Sequence, residues 1–218
     1  MKIYLIPGLG SDKRMYRSLL EVLPQATVVE FIRPYYAETL EEYAKRMAEG
    51  INTSEKFSII GTSLGGMIAV EISKILNPEK VVLIASAKSR HELPLFLRSL
   101  SLVKLHKLFN APIVIRTKER KIRRIVSDQE EELKKMLLEM NKDADPKFIE
   151  WAGDAIINWK GEDNYRKDII HFHGTKDRLF PIRRIENCIP IEDATHFMAL
   201  NLGEELKGKI LKIFKKLS

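Results

Sequence analysis

The chain has 218 residues, of which 44% are hydrophobic and 31% charged, and a formal net charge of +7. That length and apolar content fit one compact α/β domain with a real core and room for an inserted subdomain. The longest apolar runs fall far short of a bilayer span, and Met1-Lys-Ile-Tyr-Leu-Ile-Pro7 breaks too early to make the apolar centre of a signal peptide, so no membrane span and a cytoplasmic location are expected.

A single cysteine, Cys188, excludes an internal disulfide and fits a reducing compartment; it reads as a small buried hydrophobe in an apolar run. The positive charge is concentrated between Arg116 and Arg124, where six basic residues outweigh Glu119. It is not interleaved with aromatics and matches no recognition module, so no nucleic-acid partner is expected. A solvated surface segment is the default for such a run, with a rim that attracts anionic substrates or an anionic membrane as the alternative.

In chain order, Lys2 to Ile6 reads as a strand followed by the loop Pro7-Gly-Leu-Gly10. A helix capped by Ser11 should run through Met15, Leu19, Leu20 and Leu23 to Pro24. Thr27 to Ile32, rich in β-branched residues, reads as the second strand. Thr39-Leu-Glu-Glu42 is a capping box ahead of a helix whose apolar residues Leu40, Tyr43, Ala44, Met47, Ala48 and Ile51 recur at helical spacing. Phe57 to Ile60 is a short apolar strand that meets a helix beginning near Leu64 and stopped by Asn77-Pro78. Lys80 to Ile84 is a fourth strand.

This alternation is the signature of a parallel sheet covered on both faces. It breaks after Ala87, and from there to about Tyr165 no run reads as a core strand. Leu93 to Phe109, Asp128 to Met140 and Pro146 to Trp159 read as helical, making residues 87–165 a helical insertion or cap within a single domain spanning 1–218. The strand pattern resumes at Asp168 to Phe172 and near Cys188 to Ile191, and an amphipathic helix through Leu206, Ile210, Ile213, Phe214 and Leu217 closes the chain. The count is about six strands.

The chemistry centres on Gly61-Thr-Ser-Leu-Gly65, a G-x-S-x-G pentapeptide between a strand and a helix. A nucleophile at the tip of a sharp turn needs neighbours without side chains, which Gly61 and Gly65 supply around Ser63. The pattern should arise about 0.03 times by chance in a chain this long, and the competing reading is a glycine-rich turn whose serine merely caps the helix. A serine hydroxyl needs a base, and the base needs a third group to hold its tautomer. Loops at the carboxyl ends of parallel strands converge on one crevice. There Asp177, in His173-Gly-Thr-Lys-Asp177, is the carboxylate by elimination, because the loop after Ile84 offers only Ala85-Ser-Ala-Lys88. His196, between the last strand and the last helix, is the base.

Oxyanion donors are expected from the backbone N–H of Leu64, after the nucleophile, and of Leu9, in the loop whose Gly8 lets the backbone fold towards Ser63. His171 and His173 straddle a strand end and read as structural or site-lining; His91 and His106 fall in the insertion. No pair of histidines has a carboxylate partner at metal-ligand spacing, so no metal is expected.

The order Ser63, Asp177, His196, the loop Pro7-Gly-Leu-Gly10 and the acid-bearing loop His173 to Asp177 resemble the α/β-hydrolase superfamily over nearly the whole chain. Three departures stand out: Thr62 where many relatives have histidine, Asp193 and Thr195 where glycines often precede the histidine, and no leading antiparallel pair of strands. The resemblance implies hydrolysis of a carboxylic ester, or of a thioester or amide, through an acyl-serine, with a small-molecule acyl substrate and no cofactor. Acyl transfer, carbon–carbon hydrolysis and lyase chemistry occur on the same fold, and a non-catalytic ligand-binding protein is the rival from another class. Leu93, Phe96, Leu97, Phe109, Trp151 and Trp159 hint at an apolar acyl pocket, or else pack the cap on the core.

Overall fold

The structure, a computed structural model, describes residues 1–103, 131–161, 164–166 and 168–215. The basic segment Arg116 to Arg124, His106 and Phe109 lie outside them. Among the described residues one sheet of six strands forms, in the order β2-β1-β3-β4-β5-β6, every neighbouring pair parallel. The strands are β1 (Lys2–Ile6), β2 (Thr27–Val28), β3 (Phe57–Thr62), β4 (Lys80–Ile84), β5 (Ile170–Gly174) and β6 (Ile189–Ile191). The expected parallel α/β sheet is therefore present.

The helices are α1 (Arg17–Val22), α2 (Leu40–Glu49), α3 (Leu64–Ile75), α4 (Leu95–Val103), α5 (Glu131–Asp143), α6 (Pro146–Asn158) and α7 (Glu204–Lys215). Strand residues alternate between the two faces as the period of two dictates. Tyr4, Ile6, Ile59, Val81 and Leu83 join the core under α2, α3 and α6, while Ile3, Leu5, Ile60, Val82 and Ile84 join the core under α1, α5 and α7. Chain order reverses at β1, whose neighbours are β2 on one side and β3 on the other. That switch point opens a crevice beyond the carboxyl ends of β1 and β3, where Pro7–Gly10 and Ser63 lie.

Four local expectations shift. The first helix is capped by Asp12, not Ser11: its carboxylate accepts from Arg14 N at 2.9 Å, and a 3-10 turn, Lys13–Tyr16, leads into α1. The second strand ends at Val28, although Val29 N still reaches Leu5 O at 2.8 Å. Phe31 instead packs against Phe148 with ring centroids 4.6 Å apart, and Ile32 O accepts the Tyr43 hydroxyl at 2.8 Å, so the stretch anchors two helices. β5 runs two residues later than expected because Asp168 is taken by Arg166 and His173 and Gly174 pair with β6. Cys188 is half-buried and not fully enclosed.

The described helices of the 87–165 stretch pack on both layers. Leu137 and Met140 of α5 enter the α1–α7 core, and Arg14 pairs with Asp143 at 2.7 Å. Phe148, Ala152 and Ala155 of α6 enter the other core. Trp151 Nε1 donates to Glu38 O and Trp159 Nε1 to Glu71 Oε1, each at 2.8 Å, so both tryptophans hold this part of the chain on the body. No described helix is long and apolar enough to cross a membrane.

Asn141 is 1% exposed, and both polar atoms of its side chain are buried without a hydrogen-bond partner. Such a group is destabilising relative to an apolar one of similar shape, by about 1–3 kcal/mol. Asn141→Leu is expected to raise Tm by a few degrees in a thermal melt; a fall would show that the amide is satisfied in solution.

Candidate active site

Ser63 sits between the end of β3 and the first turn of α3 with φ 52° and ψ −119°, a left-handed conformation that a side-chain-bearing residue adopts only under constraint. The constraint is backbone packed on backbone. A Cβ on Gly61 would lie 2.4 Å from Gly65 O, and one on Gly65 would lie 2.1 Å from Ile6 O. The turn is held by Ser63 N donating to Ile84 O at 3.1 Å and by Ser86 Oγ donating to Ser63 O at 2.6 Å. Gly66 belongs to the same contact, since a Cβ there would fall 2.3 Å from Ser86 Oγ. Ser63 makes no side-chain cap on α3, which removes the helix-capping reading. Its Oγ lies 2.9 Å from His196 Nε2.

His196 Nδ1 lies 2.7 Å from Asp177 Oδ2, and the ring stands edge-on to Phe180 at 5.2 Å. Asp177 is buried, and each of its oxygens has two partners. Oδ1 accepts from Leu179 N and Phe180 N, each at 2.8 Å; Oδ2 faces His196 and, at 3.3 Å, His173 Nε2. Burial pushes the carboxyl up, but His196, the hydrogen bonds from both histidines and the Phe180 N–H outweigh it and hold Asp177 well below the usual carboxylate range.

The two loops that carry this pair are stitched together. Thr175 N donates to Ile191 O at 3.0 Å and Lys176 N to Ala194 O at 2.9 Å. Gly174 permits the approach, as a Cβ there would lie 2.2 Å from Ala194 O. Asp193, one of the departures from the hydrolase pattern, adopts φ 58°, a conformation aspartate tolerates better than most residues.

The loop after β1 reaches Ser63 as expected. The Cβ position of Gly8 is 3.4 Å from Ser63 Cβ, an ordinary contact, and the left-handed turn in the loop belongs to Gly10 at φ 65°. Of the loop's two glycines, Gly10 thus supplies the special conformation and Gly8 has room for a methyl group, whereas Gly61 and Gly65 do not. Leu64 is the first residue of α3, where an N–H has no intrahelical acceptor, and Leu9 packs half-buried against the α2–α3 core. Thr62 Oγ1 meets the buried Tyr16 hydroxyl at 2.9 Å, and that hydroxyl donates to Ile6 O at 2.6 Å, tying the ends of β1 and β3 through one side chain. No sequence signal singled out Tyr16, Ser86 or Gly174, whose roles rest on contacts between distant segments.

A cavity of about 660 Å³ adjoins this loop, lined by Pro7, Gly10, Arg14, Val29, Phe31 and Phe148 among others, though not by Ser63. Among the described residues no three His, Cys, Asp or Glu side chains converge as a metal's donors.

The parallel sheet, here of six strands, with a serine on a strained strand-to-helix turn has the α/β-hydrolase fold. Solved structures similar to it include an esterase from Thermogutta terrifontis (TM-score 0.73, 16% identity, covering 99% of this chain and 90% of that one). An esterase from Exiguobacterium antarcticum matches at TM-score 0.72 and 14% identity over 99% of this chain and 92% of the other. A 2-hydroxy-6-oxo-6-phenylhexa-2,4-dienoate hydrolase from a Rhodococcus species matches at TM-score 0.67 and 16% identity over 98% and 90%. At such identities the likeness is one of fold. No family model and no curated protein matches the sequence.

Gly65→Ala drives a Cβ into a backbone oxygen and is expected to cost about 3 kcal/mol or more, read as loss of fold or a lowered denaturation midpoint. Gly8→Ala should change stability by less than about 1 kcal/mol; equal effects would show that the loop contacts are misassigned. Because the folded-state pKa of Asp177 lies below the unfolded one, its contribution to stability is complete above the ordinary carboxylate range and is lost as pH falls below about 4. Asp177→Asn is expected to flatten the Tm–pH curve there, and an unchanged slope would sink that assignment.

Proposed function

We propose that the chain is a serine hydrolase that cleaves carboxylic ester bonds through an acyl-serine intermediate. The observation that carries this reading is the unbroken hydrogen-bonded line from Ser63 Oγ to His196 at 2.9 Å and from His196 to Asp177 at 2.7 Å, on a fold shared with esterases. His196 takes the Ser63 proton as Oγ attacks the carbonyl, then delivers it to the departing alkoxide, so that an alcohol leaves and an acyl-serine remains. Water activated by the same imidazole releases the carboxylic acid and regenerates Ser63. Asp177 keeps the Nδ1–H tautomer of His196 and offsets its charge while it is an imidazolium. The N–H groups of Leu64 and Leu9 are the proposed donors to the tetrahedral oxyanion, each worth about two to three decades of rate.

The 87–165 stretch is proposed as the cap, and a small-molecule acyl compound as the substrate. A lone thiol in 218 residues fits a reducing compartment, so the cytoplasm is the proposed location. A second reading, carbon–carbon bond hydrolysis, is favoured by one observation, the dienoate hydrolase among the similar structures.

A fluorophosphonate probe is expected to label Ser63, with the label absent in Ser63→Ala and sharply reduced in His196→Ala. Hydrolysis of p-nitrophenyl acetate should fall about 10³-fold or more in kcat in both variants. A folded wild-type chain that neither takes the probe nor cleaves the ester would overturn the proposal in favour of a ligand-binding protein. Products formed with an added acyl acceptor separate hydrolysis from transfer.

A further inference from the structure

Behind Asp177, away from His196, lies a polar cluster that the proposed chemistry does not use. Lys88 is 3% exposed, Glu92 2%, His171 1% and His173 0%. We propose that Lys88, His171 and His173 form a directed hydrogen-bond wire whose protons all point towards Asp177, with Lys88 as the remote positioning residue that sets the direction. The positioning role rests on the serine-hydrolase reading; the wire itself rests on geometry alone.

The direction is set first at the ammonium. Lys88 Nζ carries three N–H groups and no lone pair. It meets three acceptors: Glu92 Oε1 at 3.1 Å, the Glu186 carbonyl, and His171 Nδ1 at 3.4 Å. His171 Nδ1 must therefore present its lone pair. Burial, and then the charge of Lys88, hold His171 well below the usual imidazole range, so it is neutral and its single proton sits on Nε2. That nitrogen lies 3.3 Å from His173 Nδ1 and donates to it. Ser86 N is also 3.4 Å from His171 Nε2, but accepting from it would move the ring proton to Nδ1, donor against donor with the ammonium.

His173 Nδ1 accepts, which leaves its proton on Nε2, 2.8 Å from Phe180 O and 3.3 Å from Asp177 Oδ2. The far end gives the same answer independently, because a carbonyl only accepts and so requires the proton on Nε2. Both ends fix one tautomer in each ring.

The other charged and titratable neighbours leave this direction intact. Glu92 Oε2 accepts Lys88 N at 2.6 Å and Glu92 Oε1 accepts Glu186 N at 2.9 Å, so this carboxylate is engaged away from the histidines. The Cys188 thiol, pushed up by burial, stays neutral near Lys88. At the other end stand Asp177 and His196. The wire ends on Phe180 O, and its last N–H lies 3.3 Å from Asp177 Oδ2, close enough to share that carboxylate's charge with His196. Without it the carboxylate would bind the His196 proton more strongly and hold its position less well.

The test is ¹⁵N-edited histidine NMR of the full chain. The wild type should show both His171 and His173 with the proton on Nε2 and the lone pair on Nδ1 at the pH of the activity assay. An Nδ1–H tautomer or an imidazolium at His171 overturns the wire, whether or not the protein has activity. In kinetics on p-nitrophenyl acetate, His171→Leu breaks the wire, and kcat is expected to fall about tenfold with the acid limb of kcat/KM moved up by about half a pH unit. His171→Gln keeps an acceptor for Lys88 and a donor for His173 and should recover most of both changes. Equal profiles for the two variants overturn the positioning role. Should His171→Leu not fold, the wild-type tautomers still decide. A wild type that does not cleave the ester at all counts against the hydrolase reading and not against the wire.

Discussion

The ends of β1 and β3 and the first turn of α3 meet through backbone on all three sides, and the rest of the site depends on how close they come. With Gly61 and Gly65 the strand ends and the helix approach to distances that a single methyl group would prevent. The turn between them then has no room for a relaxed residue, and Ser63 takes a left-handed φ that costs on the order of 1–3 kcal/mol. The cost is sustained by what surrounds it: the ladder bond to Ile84, the Ser86 hydroxyl on the Ser63 carbonyl, and Tyr16 across both strand ends. A serine in an ordinary N-cap conformation would turn its hydroxyl on the helix. Held in this conformation, Ser63 turns it towards His196 instead.

The site is built as two halves with a third element between them. One half is β1, β3 and α3; the other is β5 and β6 with their trailing loops, locked by Gly174 against Ala194. They touch where Ser63 meets His196. The loop after β4, which lies between β3 and β5 in the sheet, contacts both halves: Ser86 braces the Ser63 carbonyl, and Lys88 reaches His171 on β5. A segment that contributes none of Ser63, Asp177 and His196 thus sets the spacing of the two segments that carry them. Precision of this kind suits chemistry in which an ångström of misplacement costs about 10²-fold in rate.

What could be read from the sequence was local or periodic. The apolar run of β3, the glycines after it and the capping box of α2 each act within a few residues, so their signal survives without the fold. Asp177 and His196 were found because parallel topology brings strand ends together, and only a few residues at those ends can carry charge. What stayed hidden depends on partners far along the chain. Phe31 and Ile32 have ideal strand character, yet Phe148 and Tyr43 claim them. Whether Trp151 on α6 and Trp159 just after it line a pocket or pack on the core is open until Glu38 and Glu71 supply acceptors for their N–H groups. Asp193 reads as a lost glycine until its φ shows that the turn survives. Nothing local marks Lys88 and Glu92 as buried, because their burial depends on β5 and the loop at Glu186.

The buried charges obey one logic. A carboxylate removed from water tends to take up a proton, and a neutral Asp177 could not balance an imidazolium at His196. Four N–H groups around its two oxygens keep it ionised: two donated by the backbone of its own loop, one at His196, and one on His173 that is bonded to Phe180 O and lies 3.3 Å away. The first two come with the turn itself. The fourth has a direction, and direction in a pair of neutral imidazoles has to be imposed from outside, since each ring is indifferent to which nitrogen holds its proton. A cation without a lone pair imposes it at one end, and the Phe180 carbonyl, which can only accept, agrees with it at the other. Placing that cation so deep would be ruinous alone, which accounts for Glu92 at 3.1 Å: the pair adds no net charge to the interior, yet it presents only donors to His171. The polar interior of this protein is organised to keep one carboxylate charged in a dry place, and the ion pair at its far end belongs to that arrangement.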